Sequence, residues 1–111
     1  MIEQRDLILV PFPFSDQSGR KVRPVIVISN NEFNESSNDI IIVGATSNIS
    51  KDRYTAKLGN GDLEDGKLFT PCGIKVENIL RLEKGLIIKK IGKISKFKLN
   101  EIINILDKII K

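Results

Sequence analysis

The apolar residues change period at Ser95, and that switch limits the fold more than any other feature of the chain. Before it, apolar residues come in short runs rich in β-branched side chains, separated by polar stretches. After it, Leu99, Ile102, Ile103, Leu106, Ile109 and Ile110 recur at three- and four-residue steps, the spacing of one helix face. Ser95 stands where an N-cap belongs. The pattern predicts strands followed by a single amphipathic helix of about four turns.

The strands can be placed from the runs themselves. Residues 7–14, LILVPFPF, read as a strand, but Pro11 and Pro13 argue against a central position and for an edge or bend near Pro11. The polar, glycine-containing stretch 15–22 reads as a loop. Residues 24–29, PVIVIS, and 39–47, DIIIVGATS, read as buried strands, with a polar loop over 30–38 between them. A short strand at 54–58 precedes a turn-rich stretch, GNGDLEDG, at 59–66. Residues 69–80 alternate, with Ile74 and Val76 on one face and Lys75 and Glu77 on the other. Residues 86–94 form a last strand with lysines at its exposed positions. Such an order predicts a mainly β fold with a C-terminal α-helix, a small antiparallel barrel closed by that helix. The apolar runs at 24–28 and 40–43 are too continuous for one covered face, which predicts a homodimer interface over one side.

Composition narrows the chemistry. A chain of 111 residues makes one domain, 1–111, and can bury a core without covalent staples. Cys72 is the sole cysteine, so no internal disulfide forms and a reducing compartment is expected. With no signal-peptide layout and no apolar run of spanning length, the expected location is cytoplasmic, away from any membrane. There is no histidine, so a Ser–His–Asp triad is impossible and a structural zinc site has no ligand set. No Gly-rich phosphate loop occurs, and neither metal nor cofactor is called for.

Charge is uneven. Residues 84–111 hold eight lysines and two acids, net +6, while residues 1–83 hold ten basic and twelve acidic residues, net −2. A basic end suits a nucleic-acid partner through counterion release, or is simply a solvated, solubilising face.

What remains for chemistry is Arg, Lys, Thr and carboxylate residues on or beside strands. One reaction suits such a set. RNA can be cut by its own 2′-hydroxyl attacking the adjacent phosphate, with no metal and no protein nucleophile. The protein must then position the phosphate, stabilise its added negative charge, and take and give a proton.

Three segments carry a resemblance. Residues 9–29, LVPFPFSDQSGRKVRPVIVIS, resemble the opening of PemK- and MazF-type toxins, in which a first strand leads through a Gly-containing loop to an Arg-Pro pair and an apolar strand. IIIVGATS at 40–47 is similar to the following strand with its terminal Thr-Ser. Residues 73–94 resemble the late segment, with a basic-x-acidic triplet, a short acidic turn and a Gly near the end. The resemblance implies an SH3-like barrel, a homodimer, sequence-selective cleavage of single-stranded RNA (mRNA) leaving a 2′,3′-cyclic phosphate and a 5′-hydroxyl, and a cognate antitoxin protein as inhibitor. It assigns catalytic roles to Arg23, Thr46, Lys75 and Glu77. Arg20, Lys21, Ser47 and Phe14 are the expected RNA contacts, with Phe12 a second aromatic beside the loop. The chain departs from the family in having Lys75 and Glu77 where Arg and Asp are common, and Arg5-Asp6 where Gly-Asp is usual.

Each residue also has a plainer role open to it. Arg23 is compatible with an exposed residue held extended by Pro24, Thr46 with a β-favouring strand end, and Lys75–Glu77 with a surface ion pair. The functional roles follow from chemistry. A guanidinium grips phosphate through two donors, and a hydroxyl donates to a nonbridging oxygen. Lys75 would steady the developing charge. Because a guanidinium holds its proton far above neutral pH, Glu77, or a water it orients, is the better base. Two other functions remain open: a noncatalytic nucleic-acid-binding barrel, and a CcdB-like toxin that poisons DNA gyrase.

Overall fold

The computed structural model describes residues 1–11, 22–47 and 52–111. In chain order the elements are β1 (Asp6–Pro11), β2 (Val22–Val27), α1 (Asn31–Ser36), β3 (Asp39–Thr46), β4 (Thr55–Leu58), β5 (Leu63–Gly66), β6 (Cys72–Glu83), β7 (Lys89–Ile94) and α2 (Lys96–Ile110). Short 3₁₀ turns cover Asn60–Asp62 and Lys84–Leu86.

One antiparallel sheet runs β4-β6-β3-β2-β1-β7-β5. Laid flat, seven strands span about 29 Å between edge axes. Yet the two edges, β4 and β5, are consecutive in the chain and joined only through residues 59–62. A link that short reaches roughly 18 Å at most. The sheet therefore curls into a half-barrel, as the strand-then-helix pattern predicted, and α2 packs into it.

The periodicities explain the packing. Leu7, Ile26, Val43, Ala45, Ile74, Val76 and Ile94 face the main core, which Leu99, Ile102 and Ile105 of α2 fill. The Ser95 hydroxyl caps α2 by accepting from the Lys98 N–H at 3.1 Å. Ile103 and Ile110, which fit the helical spacing, lie at the margin of the buried stripe, 40% and 69% exposed. The opposite residues of β1, β2 and β3 form a second core of Ile8, Val10, Val25, Val27, Ile40 and Ile42 with Leu82. Both faces of the 24–28 and 40–43 runs are thus buried within one chain, so their continuity does not require a second copy.

Three expectations are corrected. β1 is an interior strand, paired with β2 and with β7. The prolines do not forbid this, because the β7 ladder ends at Leu9↔Lys89; Pro11 pairs only with Val22. Residues 30–38 hold a helix rather than a loop alone. Asn30 caps α1 by accepting from the Phe33 N–H at 2.8 Å, and the buried Asn34 amide donates to the Ser29 carbonyl at 2.9 Å. Hydrogen bonds, not apolar residues, hold that helix. The turn-rich stretch 59–66 ends in a strand, β5, whose residues lack any alternation.

β5 is pinned by a close approach to β7. Gly66 has φ +86°, and a Cβ there would stand 2.1 Å from the Ile91 carbonyl oxygen. On the facing strand, a Cβ at Gly92 would stand 2.6 Å from the Asp65 carbonyl oxygen. Only glycine at both positions lets the strands meet.

Candidate functional site

The β2–β3 ladder stops at Val25↔Gly44. Beyond it the strands part, and a cleft of about 560 Å³ opens over the end of the barrel. Extending the register by two residues brings Arg23 of β2 level with Thr46 of β3, and both line the cleft with Ser47. Pro24 fits here because it needs no donor toward β3 at that point. The sequence expectation that Arg23 and Thr46 share a site therefore corresponds to a real juxtaposition. Both are half-buried, and Ser47 is exposed.

The lining adds residues that no sequence motif announced. Lys67, Phe69 and Thr70 come from the segment after β5, and Lys89 from the start of β7. They are far from Arg23 in sequence: the β2–β1–β7 pairing, in which Leu9 faces both Pro24 and Lys89, brings Lys89 near, and the curl of the sheet brings in the segment after β5. No carboxylate is among the described residues that line the cleft. The result is a basic mouth with hydroxyls, chemically suited to an anionic ester.

Cys72 also lines the cleft, from the core side. Burial pushes its thiol above the ordinary range, so it is neutral at physiological pH and a poor nucleophile.

Lys75 and Glu77 stand beside the cleft rather than in its wall. Alternation holds, with Ile74 and Val76 buried while the other two emerge on the opposite face. Lys75 pairs across the ladder with Gly44, two residues from Thr46 or about 7 Å along the strand. Past this point β6 bulges: Val43 pairs with Ile79 whereas Gly44 pairs with Lys75. The bulge carries Glu77 outward, where its carboxylate lies 3.7 Å from the Lys75 ammonium. By parity Arg23, Gly44, Thr46 and Lys75 project from one face of the sheet, that of the second core. Arg20, Lys21, Phe12 and Phe14 fall outside the described residues.

The basic C-terminal quarter divides in two. At least four of its lysines are held by carboxylates: Lys90 and Lys93 by Asp6, Lys98 by Asp62 and Glu101, and Lys111 by Asp107. Much of the charge excess is structural, and Lys89 is the part directed to the cleft.

With fold and site in place, the chain can be set beside known proteins. Its residues 3–110 match the family described as PemK-like, MazF-like toxin of type II toxin-antitoxin system, and the chain belongs to that family. Among solved structures it resembles an endoribonuclease in complex with its cognate antitoxin from a mycobacterial species, with 17% identity, TM-score 0.79, and 97% of this chain and 93% of that chain covered. It is also similar to MazF in a MazE–MazF structure from Deinococcus radiodurans, with 15% identity, TM-score 0.78 and 97% and 94% covered. The Mycobacterium tuberculosis toxin MazF-mt6 aligns at 17% identity and TM-score 0.71, with 93% and 97% covered. No curated protein matches the sequence. Among the described residues no helix is long and apolar enough to cross a membrane.

Proposed function

We propose that the protein is the toxin of a type II pair and an endoribonuclease that cuts single-stranded mRNA without a metal ion. The observation that carries this reading is the basic, hydroxyl-bearing cleft in which Arg23 stands level with Thr46, in a chain of the PemK/MazF family. The solved relatives named as endoribonucleases, one bound to its antitoxin, support it.

In this mechanism the scissile phosphate sits between Arg23 and Thr46, and the ribose on its 5′ side reaches across β3 toward Lys75 and Glu77. The 2′-oxygen attacks phosphorus as its proton passes to Glu77 or to a water that Glu77 orients. The P–O5′ bond breaks and the departing oxygen takes a proton, with Arg23 the nearest donor. The products are a 2′,3′-cyclic phosphate and a 5′-hydroxyl. Arg23 and Lys75 act by favouring the more highly charged transition state. Arg20, Lys21, Ser47 and Phe14 serve as further RNA contacts, and a cognate antitoxin lays an acidic segment over the Arg23 site. Residues 1–111 work as one domain, as a homodimer in the cytoplasm.

The test is cleavage of a single-stranded RNA by the purified protein in EDTA, followed by mass spectrometry of the ends. Cyclic phosphate and 5′-hydroxyl termini are expected, and a substrate with 2′-deoxyribose at the cut position resists. Ends carrying 3′-hydroxyl and 5′-phosphate would overturn the mechanism. RNA binding without product would favour the noncatalytic barrel.

A further inference from the structure

Phe69 is completely exposed, at 108% of a reference side chain, and it lines the cleft together with Arg23, Lys67 and Lys89. A single exposed aromatic residue is unremarkable by itself. Here its setting differs from that of Phe97, which is 79% exposed but lies on α2 outside the cleft. Phe69 has Lys67 two residues before it and faces the same opening as Lys89 and Arg23.

The segment that presents it is anchored. The Asn60 side chain donates to the Leu68 carbonyl at 3.1 Å and accepts from the Leu68 N–H at 2.7 Å. Leu68 packs against the main core, so its neighbour Phe69 turns outward. On the other side Pro71 keeps Thr70 extended. The ring is therefore held out from a fixed backbone. With the backbone anchored, only two side-chain torsions are left to order when a flat partner docks on the ring.

A polymer that alternates anionic groups with flat aromatic rings matches cations set beside an exposed phenyl. We infer that Phe69 is a stacking platform for a nucleobase of the bound RNA, next to the phosphate held at Arg23 and Thr46. This rests on the RNA reading of the cleft and adds a base-binding residue to it. Stacking tolerates any base, so Phe69 contributes affinity and placement rather than sequence choice.

The experiment uses the full chain and a fluorescently labelled, fully 2′-O-methylated single-stranded RNA of mixed sequence, which cannot be cut at its own 2′-oxygens. Anisotropy on the parent tests the RNA reading: no binding would overturn that reading and this one with it. Given binding, Phe69→Ala should weaken it by roughly ten-fold, with an unchanged salt slope because no phosphate contact is lost. An abasic chain of the same length should bind parent and Phe69→Ala alike. The protein contains no tryptophan. Phe69→Trp therefore introduces a single reporter, which should retain affinity and lose emission when RNA binds. Parent-like affinity in Phe69→Ala, or unchanged emission in Phe69→Trp at saturating RNA, would overturn the stacking role while leaving the cleft reading intact. Quenching that follows protein concentration without RNA would assign the ring to a protein contact instead. Circular dichroism confirms folding of both variants.

Discussion

The two ends of the β1–β7 ladder use similar residues for opposite purposes. At one end, where Asp6 pairs with Lys93, the charges of Glu3, Arg5, Asp6, Glu64, Lys90 and Lys93 meet partners. Asp6 is fully buried, with the Lys90 ammonium at 3.1 Å, the Lys93 ammonium at 3.7 Å and the Glu3 N–H at 2.9 Å. Glu3 takes Lys93 at 2.8 Å, and Arg5 reaches Glu64 at 2.8 Å. At the other end, where Leu9 pairs with Lys89, the cleft opens and its described lining offers cations and hydroxyls but no carboxylate. Lys89 and Lys93 belong to one strand and one sequence run. Their surroundings decide that one is tied into an ion-pair cluster while the other faces the cleft. The lesson is that a basic stretch has no single meaning until the topology supplies its partners.

The largest expected effect lies at the open end. Arg23→Ala should lower RNA cleavage by roughly 10²–10³-fold, the scale of a lost oxyanion donor. Arg23→Lys should restore it only in part, since a point charge lacks the fork. Glu77→Gln should cost about 10²-fold or more if it removes the base, and Thr46→Val, which deletes one neutral hydrogen bond, should cost least. Initial rates on a single-stranded substrate decide the order. A folded Arg23→Ala that cuts at the parent rate would break the contrast between the two ends.

Next comes the glycine pair that joins the ends. Gly66→Ala forces a Cβ toward the Ile91 carbonyl at a φ that side chains resist. It should destabilise by on the order of 3 kcal/mol, measured by urea unfolding. Because residue 67 follows directly, the same variant should also displace Lys67 and weaken RNA binding.

At the closed end, Asp6→Ala leaves two lysines without their buried carboxylate and should cost about 2–3 kcal/mol. The Glu3–Lys93 link predicts a pH dependence. The Lys93 hydrogen bond holds the Glu3 carboxyl below its ordinary range, and the same bond raises Lys93. A lowered carboxylate stabilises above the ordinary Glu range and loses that stabilisation as pH falls through its folded value. A raised lysine stabilises below the ordinary Lys range and loses it as pH climbs through its own folded value. The link therefore spans neutral pH and fails at both extremes. Glu3→Gln should flatten the acid limb of a stability–pH curve while leaving cleavage at neutral pH unchanged.

These contrasts also mark what a linear sequence can convey. The α2 stripe, its Ser95 cap and the β2 and β3 runs were legible because each is a local pattern of period and burial. Arg23 and Thr46 were legible through motif resemblance, and the register then set them level. Lys67, Phe69 and Lys89 were not, because Lys89 reaches Arg23 through the order of β2, β1 and β7, and Lys67 and Phe69 through the curl that joins the sheet edges. α1 was hidden because it is held by the Asn30 and Asn34 amides rather than by an apolar face. The interior place of β1 was hidden because proline forbids a ladder partner only where one would otherwise pair, and β7 has already ended.

The smallest effect concerns Arg5, where the resemblance in sequence leads to an expectation of glycine. Its φ is +81°, a left-handed conformation that costs a side-chain-bearing residue about 1 kcal/mol or more. The backbone is held there by the Arg5 N–H donating to the Val27 carbonyl at 2.8 Å and the Arg5 carbonyl accepting from Ile94 at 2.9 Å. What Arg5 returns is its guanidinium, which donates to the Ile94 carbonyl at 3.0 Å and to Glu64. The buried-side hydrogen bond is worth about 1 kcal/mol, enough to offset the strain. Arg5→Gly should therefore leave stability close to the parent, removing strain and bond together. Arg5→Ala removes the bond but keeps the strain, so it should be less stable than Arg5→Gly by about 1 kcal/mol. Urea midpoints of the three proteins measure this, and equal midpoints for Ala and Gly would mean that the backbone at residue 5 relaxes. Glu64, held below its ordinary range by the Arg5 hydrogen bond, adds an internal check. Its share of stability is present above the ordinary Glu range and fades as pH falls through the folded value. The gap between parent and Arg5→Ala should accordingly narrow in acid, while the gap between Ala and Gly, a backbone effect, should not move.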